Sequence, residues 1–177
     1  MGIETITFGG GCFWCIDSAF RKLKGVQSVK SGYCGGKTDN PTYKDICTGQ
    51  TGHAEVVQIE FDTEEIDLEI ILRAFFTLHD PTTLNKQGAD VGTQYRSAIF
   101  YRNNLQKNIA EQVVNELNNT GIWADPVVTE LSPFDEFYDA ESYHQDYFSE
   151  NASQRYCQLV IQPKLKKFMA NHAALLH

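Results

Sequence analysis

The residues best suited to chemistry lie in the segment FGGGCFWC, residues 8–15. Three glycines lead to Cys12, and Cys15 follows at the spacing of a C-x-x-C motif. A thiol is a nucleophile only as its thiolate, and a glycine turn at the start of a helix favours that charge through unpaired backbone N–H groups and the helix dipole. We therefore predict that Cys12 is a nucleophile, with Phe13 and Trp14 forming the wall of an apolar pocket beside it.

Other uses of this segment are open on the residues alone. A glycine-rich turn can bind phosphate, but the G-K-[ST] ending of a phosphate loop is absent. A C-x-x-C can supply half of a zinc site in a metal-binding interaction module, but the sequence has neither a second C-x-x-C nor a C-x-x-H pair. Thioredoxin-like thiol exchange is a stronger rival. In a further alternative, His53 or His144 activates Cys12 as the nucleophile of a hydrolase.

Composition limits the classes of function. The 177 residues, of which 42% are hydrophobic and 21% charged, are typical of one globular domain spanning 1–177, and we expect a monomer. The formal net charge of −8 argues against nucleic acid as a partner. We expect no membrane span and a cytoplasmic location, because no long apolar run and no secretory signal pattern occur. Five cysteines in a reducing compartment indicate catalysis, metal binding or burial rather than a disulfide framework.

The elements that must position Cys12 alternate between strands and helices. Period-two and β-branched patterns predict strands over 4–8, 26–33, 54–62, 96–101 and 126–131. Helical periodicity predicts helices over 12–25, ended by Gly25, over 62–80, capped by Thr63, and over 103–121, ended by Gly121. This order predicts an α+β fold in which helices cover a mixed sheet. The segments without periodicity, 34–53, 80–95 and 132–142, are long enough to be functional loops.

Several separated blocks of the sequence resemble the A class of peptide methionine sulfoxide reductases. The blocks are GGGCFWC at 9–15, SGYCGG at 31–36, NPTYKDICTGQTGHAE at 40–55, HDPTTLNKQGADVGTQYRSAIFY at 79–101 and FYDAESYHQDYF at 137–148. The resemblance implies a two-layer α/β sandwich with a ferredoxin-like mixed sheet. It also implies protein repair by reduction of the S epimer of methionine sulfoxide, free or in proteins, with thioredoxin as electron donor and no bound cofactor or metal.

The resemblance assigns roles to three residues of the reacting centre. Cys12 matches the family's nucleophile, Glu55 its acid, and Asp90 an acid near the catalytic residues. A sulfoxide sulfur is a poor electrophile until its oxygen is protonated or strongly hydrogen-bonded. Glu55 must therefore keep a proton near neutral pH, and burial in an apolar pocket raises a carboxyl pKa in the required direction.

The resemblance also assigns two aromatic pairs. Tyr43 and Tyr95 match hydroxyls that hold the sulfoxide oxygen, a role suited to phenols because they are neutral donors. Phe13 and Trp14 match the wall that accepts the methyl group of the substrate. Among the other polar residues, we expect His53 to support a turn, and Arg96 and His144 to pair with nearby polar groups.

A second thiol must complete the reaction. Attack by Cys12 would release methionine and leave a sulfenic acid, which condenses with a resolving thiol to form the disulfide that thioredoxin reduces. The family commonly has glycine where this chain has Cys15, and Cys157 resembles a resolving site near the C-terminus without the usual glycine-rich tail. Both are candidates, Cys15 being preferred, with Cys34 or no internal resolving thiol as the other possibilities.

Overall fold

The computed structural model describes residues 2–11, 13–87, 90–121, 123–145, 161–172 and 176. The predicted nucleophile, Cys12, and one of the two resolving candidates, Cys157, lie outside the described residues. Every other residue predicted to belong to the site is described. In the described part of the chain, no helix is both long and apolar enough to cross a membrane.

A six-stranded mixed sheet forms the centre of the fold. Its strands are β1 Ile3–Gly9, β2 Val26–Cys34, β3 Ala54–Asp62, β6 Ala98–Tyr101, β7 Glu130–Pro133 and β8 Phe137–Asp139, in the order β7-β6-β1-β3-β2-β8. Neighbouring strands are antiparallel except for the parallel pair β6–β7. Two short strands, β4 Lys86–Gln87 and β5 Asp90–Val91, pair separately. The predicted combination of helices with a mixed sheet is confirmed.

Helices connect and cover these strands. They are α1 Phe13–Phe20, α2 Tyr43–Cys47, α3 Leu68–Thr77, α4 Asn104–Thr120 and α5 Gln162–Asn171, with 3-10 turns at Thr93–Tyr95 and Ser142–His144. The α4 helix has the predicted bounds, because the side chain of Asn103 caps its first turn and Gly121 ends it in the left-handed region at φ 70°. The segments predicted as functional loops contain α2, β4, β5, β8 and the 3-10 turn at Thr93–Tyr95, and the second 3-10 turn begins at the last residue of the third segment.

Three predicted boundaries lie four or more residues from the observed ones. The helix predicted from residue 62 begins at Leu68, because β3 continues to Asp62; the Thr63 hydroxyl donates to the carbonyl of Gly2 instead of capping the helix. Helix α1 ends at Phe20, and turns rather than helix lead to Gly25. The strand predicted over 126–131 begins only at residue 130, since the N–H of Val128 donates to the carbonyl of Pro81 outside the sheet.

Helices α1 and α3 pack on one face of the sheet. The Phe8 ring of β1 stacks on Phe20 of α1 and Phe75 of α3, with centroid distances of 5.7 and 4.5 Å. Burial of each such side chain stabilises the fold by about 1.5–3 kcal/mol. Side chains alternate along β3, so Val57 packs into this larger core while Val56 packs into a smaller cluster on the other face. Position 55 therefore shares the face that α1 covers.

Candidate active site

The glycine run that follows β1 is required by space and by backbone conformation. A Cβ at Gly9 would lie 3.2 Å from the carbonyl oxygen of Glu55. Gly11 has φ +87°, and a Cβ there would lie 2.7 Å from Cγ of Gln87. The N–H of Gly11 donates to the carbonyl of Tyr95 at 3.2 Å. The turn thus brings the backbone that precedes Cys12 against both β3 and the 3-10 turn at Thr93–Tyr95.

Glu55 is a buried carboxyl group at this turn. It lies in β3 opposite Tyr33 of β2 and is only 1% exposed. Its Oε1 accepts the backbone N–H of Phe13 at 3.3 Å, whereas Oε2 is buried with no hydrogen-bond partner among the described residues. Burial raises the pKa of Glu55 to about 8; the Phe13 N–H opposes this shift, and the nearby Asp90 and Cys15 add to it. The carboxyl group therefore keeps its proton at neutral pH.

Aromatic rings gather at the start of α1. Phe13 is fully buried and Trp14 partly buried. The Tyr43 ring lies 6.4 Å from the Phe13 ring and 6.3 Å from the Trp14 ring, and the Tyr33 ring lies 5.8 Å from that of Phe13. The His144 ring packs 4.3 Å from Tyr43 and 5.6 Å from Trp14. The structure thus brings together Phe13, Trp14 and Tyr43, as predicted, and adds Tyr33 and His144.

Glu141 fixes the position of Tyr43. Helix α2 begins at Tyr43 after a capping box formed by Thr42 and Asp45. One carboxylate oxygen of Glu141 accepts the Tyr43 N–H at 2.9 Å, and the other accepts the Tyr33 hydroxyl at 3.0 Å. Burial alone would raise the pKa of Glu141, but these donors outweigh it and lower that pKa, so Glu141 is ionised.

Asp90 and Tyr95 approach the site from the long connection after α3. Asp90 lies in β5, partly buried, and its charge contributes to the raised pKa of Glu55. Tyr95, also partly buried, ends its 3-10 turn and is joined to Gly11 through its backbone carbonyl. The structure therefore places the backbone of Tyr95 against the turn that precedes Cys12, and Asp90 near Glu55.

Comparison with known proteins identifies this arrangement. A family model described as peptide methionine sulfoxide reductase matches residues 4–175. The chain belongs to the peptide methionine sulfoxide reductase family. It is 53% identical to the peptide methionine sulfoxide reductase MsrA of Trichodesmium erythraeum over 93% of each chain. It is 55% identical to the MsrA of Saccharolobus solfataricus, with 94% of this chain and 93% of the relative covered.

Solved structures share the fold of this reductase. Mxr1 from Saccharomyces cerevisiae in reduced form is similar with a TM-score of 0.82 and 36% identity, covering 88% of this chain and 89% of that chain. Mxr1 in complex with Trx2 is similar with a TM-score of 0.58 and 24% identity, covering 82% of this chain and 84% of that chain. The chain is thus an enzyme of methionine sulfoxide reduction with a mixed α/β fold.

His53 and His144, the two histidines considered for the hydrolase alternative, both use their basic nitrogen to accept a hydrogen bond. His53 Nδ1 accepts the Gly36 N–H at 2.9 Å, so its Nε2 donates to the carbonyl of Thr38 at 2.7 Å. Both nitrogens stabilise the turn, as predicted. The indole N–H of Trp14 donates to Nδ1 of His144 at 2.9 Å. The predicted pairing of His144 with a polar group is confirmed, and the pairing of Arg96 is with Glu130, at 3.0 Å.

The described thiols of the reductase lie in three different surroundings. Cys15 lies on α1, is 6% exposed, and is close enough to Glu55 to contribute to its raised pKa. Cys34 is fully buried in the smaller cluster on the opposite face of the sheet, and burial raises its pKa to about 12. Cys47 is exposed at the end of α2. A role for Cys34 as the resolving thiol is therefore disfavoured, because the sheet separates it from Glu55 and it resists ionisation.

Besides His144, which was predicted only to pair with a polar group, sequence reasoning missed Tyr33 and Glu141 in the reductase site. Both lie in blocks that carry the family resemblance, SGYCGG and FYDAESYHQDYF. No spacing connects them, because Tyr33 lies on β2 and Glu141 on the connection after β8, 108 positions away. The available signal was an acid, Glu141, close in sequence to His144, and by itself it does not indicate what the acid binds.

Proposed function

We propose that the enzyme reduces the S epimer of methionine sulfoxide, free or in proteins, with Cys12 as nucleophile and Glu55 as general acid. The observation that supports this most directly is the buried Glu55, whose pKa is about 8 and whose Oε1 accepts the N–H of the residue after Cys12. A carboxyl group that stays protonated at neutral pH can donate to the sulfoxide oxygen.

The substrate binds between the aromatic residues and the oxygen donors. Phe13 and Trp14 accept the methyl group. Their apolar rings lie together at the start of α1, where Phe13 is buried and Trp14 partly buried. Tyr43 and Tyr95 donate their hydroxyl hydrogens to the sulfoxide oxygen, and Asp90 helps to keep Glu55 protonated. Donors set in advance around the oxygen stabilise the negative charge that develops on it.

The reduction transfers the oxygen and two electrons. The Cys12 thiolate attacks the sulfoxide sulfur while Glu55 protonates the oxygen. The attack forms a bond between Sγ of Cys12 and the substrate sulfur. The S–O bond of the substrate then breaks and the oxygen is transferred to Sγ of Cys12, while the bond between the two sulfurs breaks and leaves its electron pair on methionine. Methionine thus leaves reduced by two electrons, and Cys12 is oxidised by two electrons to the sulfenic acid. A nucleophile and a proton donor placed on one substrate in this way need no cofactor.

A resolving thiol then condenses with the sulfenic acid, releasing water and forming a disulfide, and thioredoxin reduces that disulfide by exchange. The position of Cys15 in the first turn of α1, near Glu55, supports its role as the resolving thiol. Cys157 is the alternative. We further propose that residues 1–177 form one catalytic domain of two-layer, ferredoxin-like arrangement that acts as a cytoplasmic monomer.

The test is a stoichiometric assay with each epimer of a methionine sulfoxide substrate. Mixed with the S epimer and no reductant, the enzyme should release methionine in proportion to its own concentration; thioredoxin or dithiothreitol should make this catalytic. Cys12→Ser should abolish the release, whereas Cys34→Ser, at a thiol on the opposite face of the sheet from Glu55, should retain it. Turnover of the R epimer, or full activity of Cys12→Ser, would overturn the proposal.

A further inference from the structure

His144 has a defined protonation state that its contacts explain. Its ring is fully buried, and Nδ1 accepts the indole N–H of Trp14 at 2.9 Å. An indole nitrogen can only donate, so Nδ1 carries no hydrogen and the neutral ring is protonated on Nε2. That Nε2 is buried and has no hydrogen-bond partner among the described residues. The ring is thus held in the orientation in which Nδ1 accepts the Trp14 N–H, while Nε2 faces no acceptor in the described part of the chain.

The segment that carries His144 is fixed on both sides. The side chain of Gln145 accepts the Ser31 N–H and donates to the Ser31 carbonyl, each at 2.8 Å. On the other side, the Ala140 N–H donates to the same carbonyl at 2.9 Å, and Glu141 binds Tyr33 and Tyr43. The segment 140–145 is therefore anchored to β2 and to the start of α2 by bonds that do not involve Trp14.

We propose that His144 is a positioning residue, which holds the indole of Trp14 in the orientation that accepts the substrate's methyl group. The proposal depends on the role proposed above for Trp14. A partly buried indole can occupy several rotamers, and one hydrogen bond from its nitrogen to a fixed acceptor selects among them. The His144 ring also packs against Tyr43, at 4.3 Å, so one residue contacts both the methyl wall and a predicted oxygen donor.

A role in proton transfer is less consistent with these contacts. The basic nitrogen, Nδ1, is occupied by Trp14, and the nitrogen that carries the proton is buried. A role in packing alone would require only the ring. A phenylalanine in its place keeps an aromatic ring of similar size but loses the acceptor, whereas asparagine places an amide oxygen close to the position of Nδ1. These two substitutions separate hydrogen bonding from packing.

The hydrogen bond is tested by the indole N–H signals of protein labelled with ¹⁵N-tryptophan. The chain contains two tryptophans, Trp14 and Trp123, so the second signal is an internal control. His144→Phe should shift the Trp14 signal upfield and leave that of Trp123 in place, and His144→Asn should return the Trp14 signal toward its original position. If His144→Phe does not fold, His144→Gln, which places no oxygen near Nδ1, is compared with His144→Asn. An unchanged Trp14 signal in folded His144→Phe or His144→Gln would overturn the proposal.

The consequence for binding is tested without catalysis, in a Cys12→Ser background. In His144→Phe the affinity for methionine sulfoxide should fall about tenfold, which is the effect of one lost hydrogen bond. The same fall is expected in His144→Gln if that variant is used, and the affinity should recover in His144→Asn. Equal affinities in variants whose Trp14 signals differ would overturn positioning. Trp14→Phe in the same background tests the underlying assumption: if it leaves the affinity unchanged, the methyl-wall role fails, while the indole signals still report whether the bond to His144 exists.

Discussion

The carboxyl group of Glu55 accepts the backbone N–H of Phe13 at 3.3 Å, so strand β3 and the first residue of helix α1 are joined by a buried hydrogen bond. Phe13 directly follows Cys12 in the chain. This hydrogen bond would hold Glu55 near the nucleophile, and the second carboxyl oxygen, Oε2, has no hydrogen-bond partner among the described residues. An acid with one oxygen fixed and the other available is suited to donating a proton to a substrate.

Replacing this acid should slow the chemical step. In Glu55→Gln, the amide is a weaker donor and cannot transfer a proton, so the single-turnover rate of methionine formation should fall by about 10² or more. Glu60→Gln is a matched control, because Glu60 lies on the same strand but is only partly buried. A wild-type rate in Glu55→Gln would remove this residue from the mechanism.

The pH dependence of the same step should contain an alkaline limb. Glu55 donates only while protonated, and its pKa is about 8, so the single-turnover rate should fall as the pH rises through that value. The limb should be absent from the residual activity of Glu55→Gln. An identical alkaline limb in both proteins would assign it to another group.

Glu55 should also make folding stability depend on pH in the direction opposite to that of an ordinary paired carboxylate. Its pKa is raised from 4.5 to about 8 in the folded protein, so between these values the folded state binds more protons than the unfolded state. Stability contributed by the protonated acid is present below pH 4.5 and is lost as the pH rises toward 8. The wild type should therefore lose unfolding free energy between about pH 5 and pH 9, whereas Glu55→Gln has no such loss. Measured by urea unfolding, the free energy of unfolding of Glu55→Gln relative to the wild type should rise by on the order of 3 kcal/mol over this range. A constant difference across this range would contradict the raised pKa.

Replacing Gly11 by alanine should lower the free energy of unfolding by more than its positive φ alone would predict. Gly11 and Gly121 both have positive φ. A Cβ at Gly11 would lie 2.7 Å from Gln87, whereas a Cβ at Gly121 would meet no other described segment within 4 Å. Gly121→Ala should cost about 1 kcal/mol of unfolding free energy and Gly11→Ala about 2–3 kcal/mol. Thermal unfolding of the two variants gives the difference, and equal losses would show that Gln87 moves aside without cost.

Local patterns predicted the elements better than they predicted the site. The helix ended by Gly121 and the strand over 54–62 follow from periodicity and from turn residues close in sequence. The start of α3 was predicted wrongly, because Thr63 and Asp67 are both acceptable N-caps and only the length of β3 decides between them.

The site itself depends on contacts between distant segments, which periodicity does not encode. Nothing in the residues near Glu55 indicates that its strand is covered by α1, and without the family resemblance it would be taken for an exposed acid. The bond from Trp14 to His144 spans 130 positions. The types of these residues were visible in the sequence, but their partners required the fold.

The choice of resolving thiol can be decided by substitution. Cys15 lies on α1 on the same side of the sheet as Glu55, so we expect Cys15→Ser to release one methionine per enzyme and then accumulate a sulfenic acid on Cys12. Dimedone labelling followed by mass spectrometry would detect that acid, and Cys34→Ser, at a thiol buried on the opposite face, should form the disulfide as the wild type does. If Cys15→Ser forms a disulfide from Cys12 to Cys157 at the wild-type rate, the resolving role belongs to Cys157, and Cys15 is only a buried neighbour of the acid.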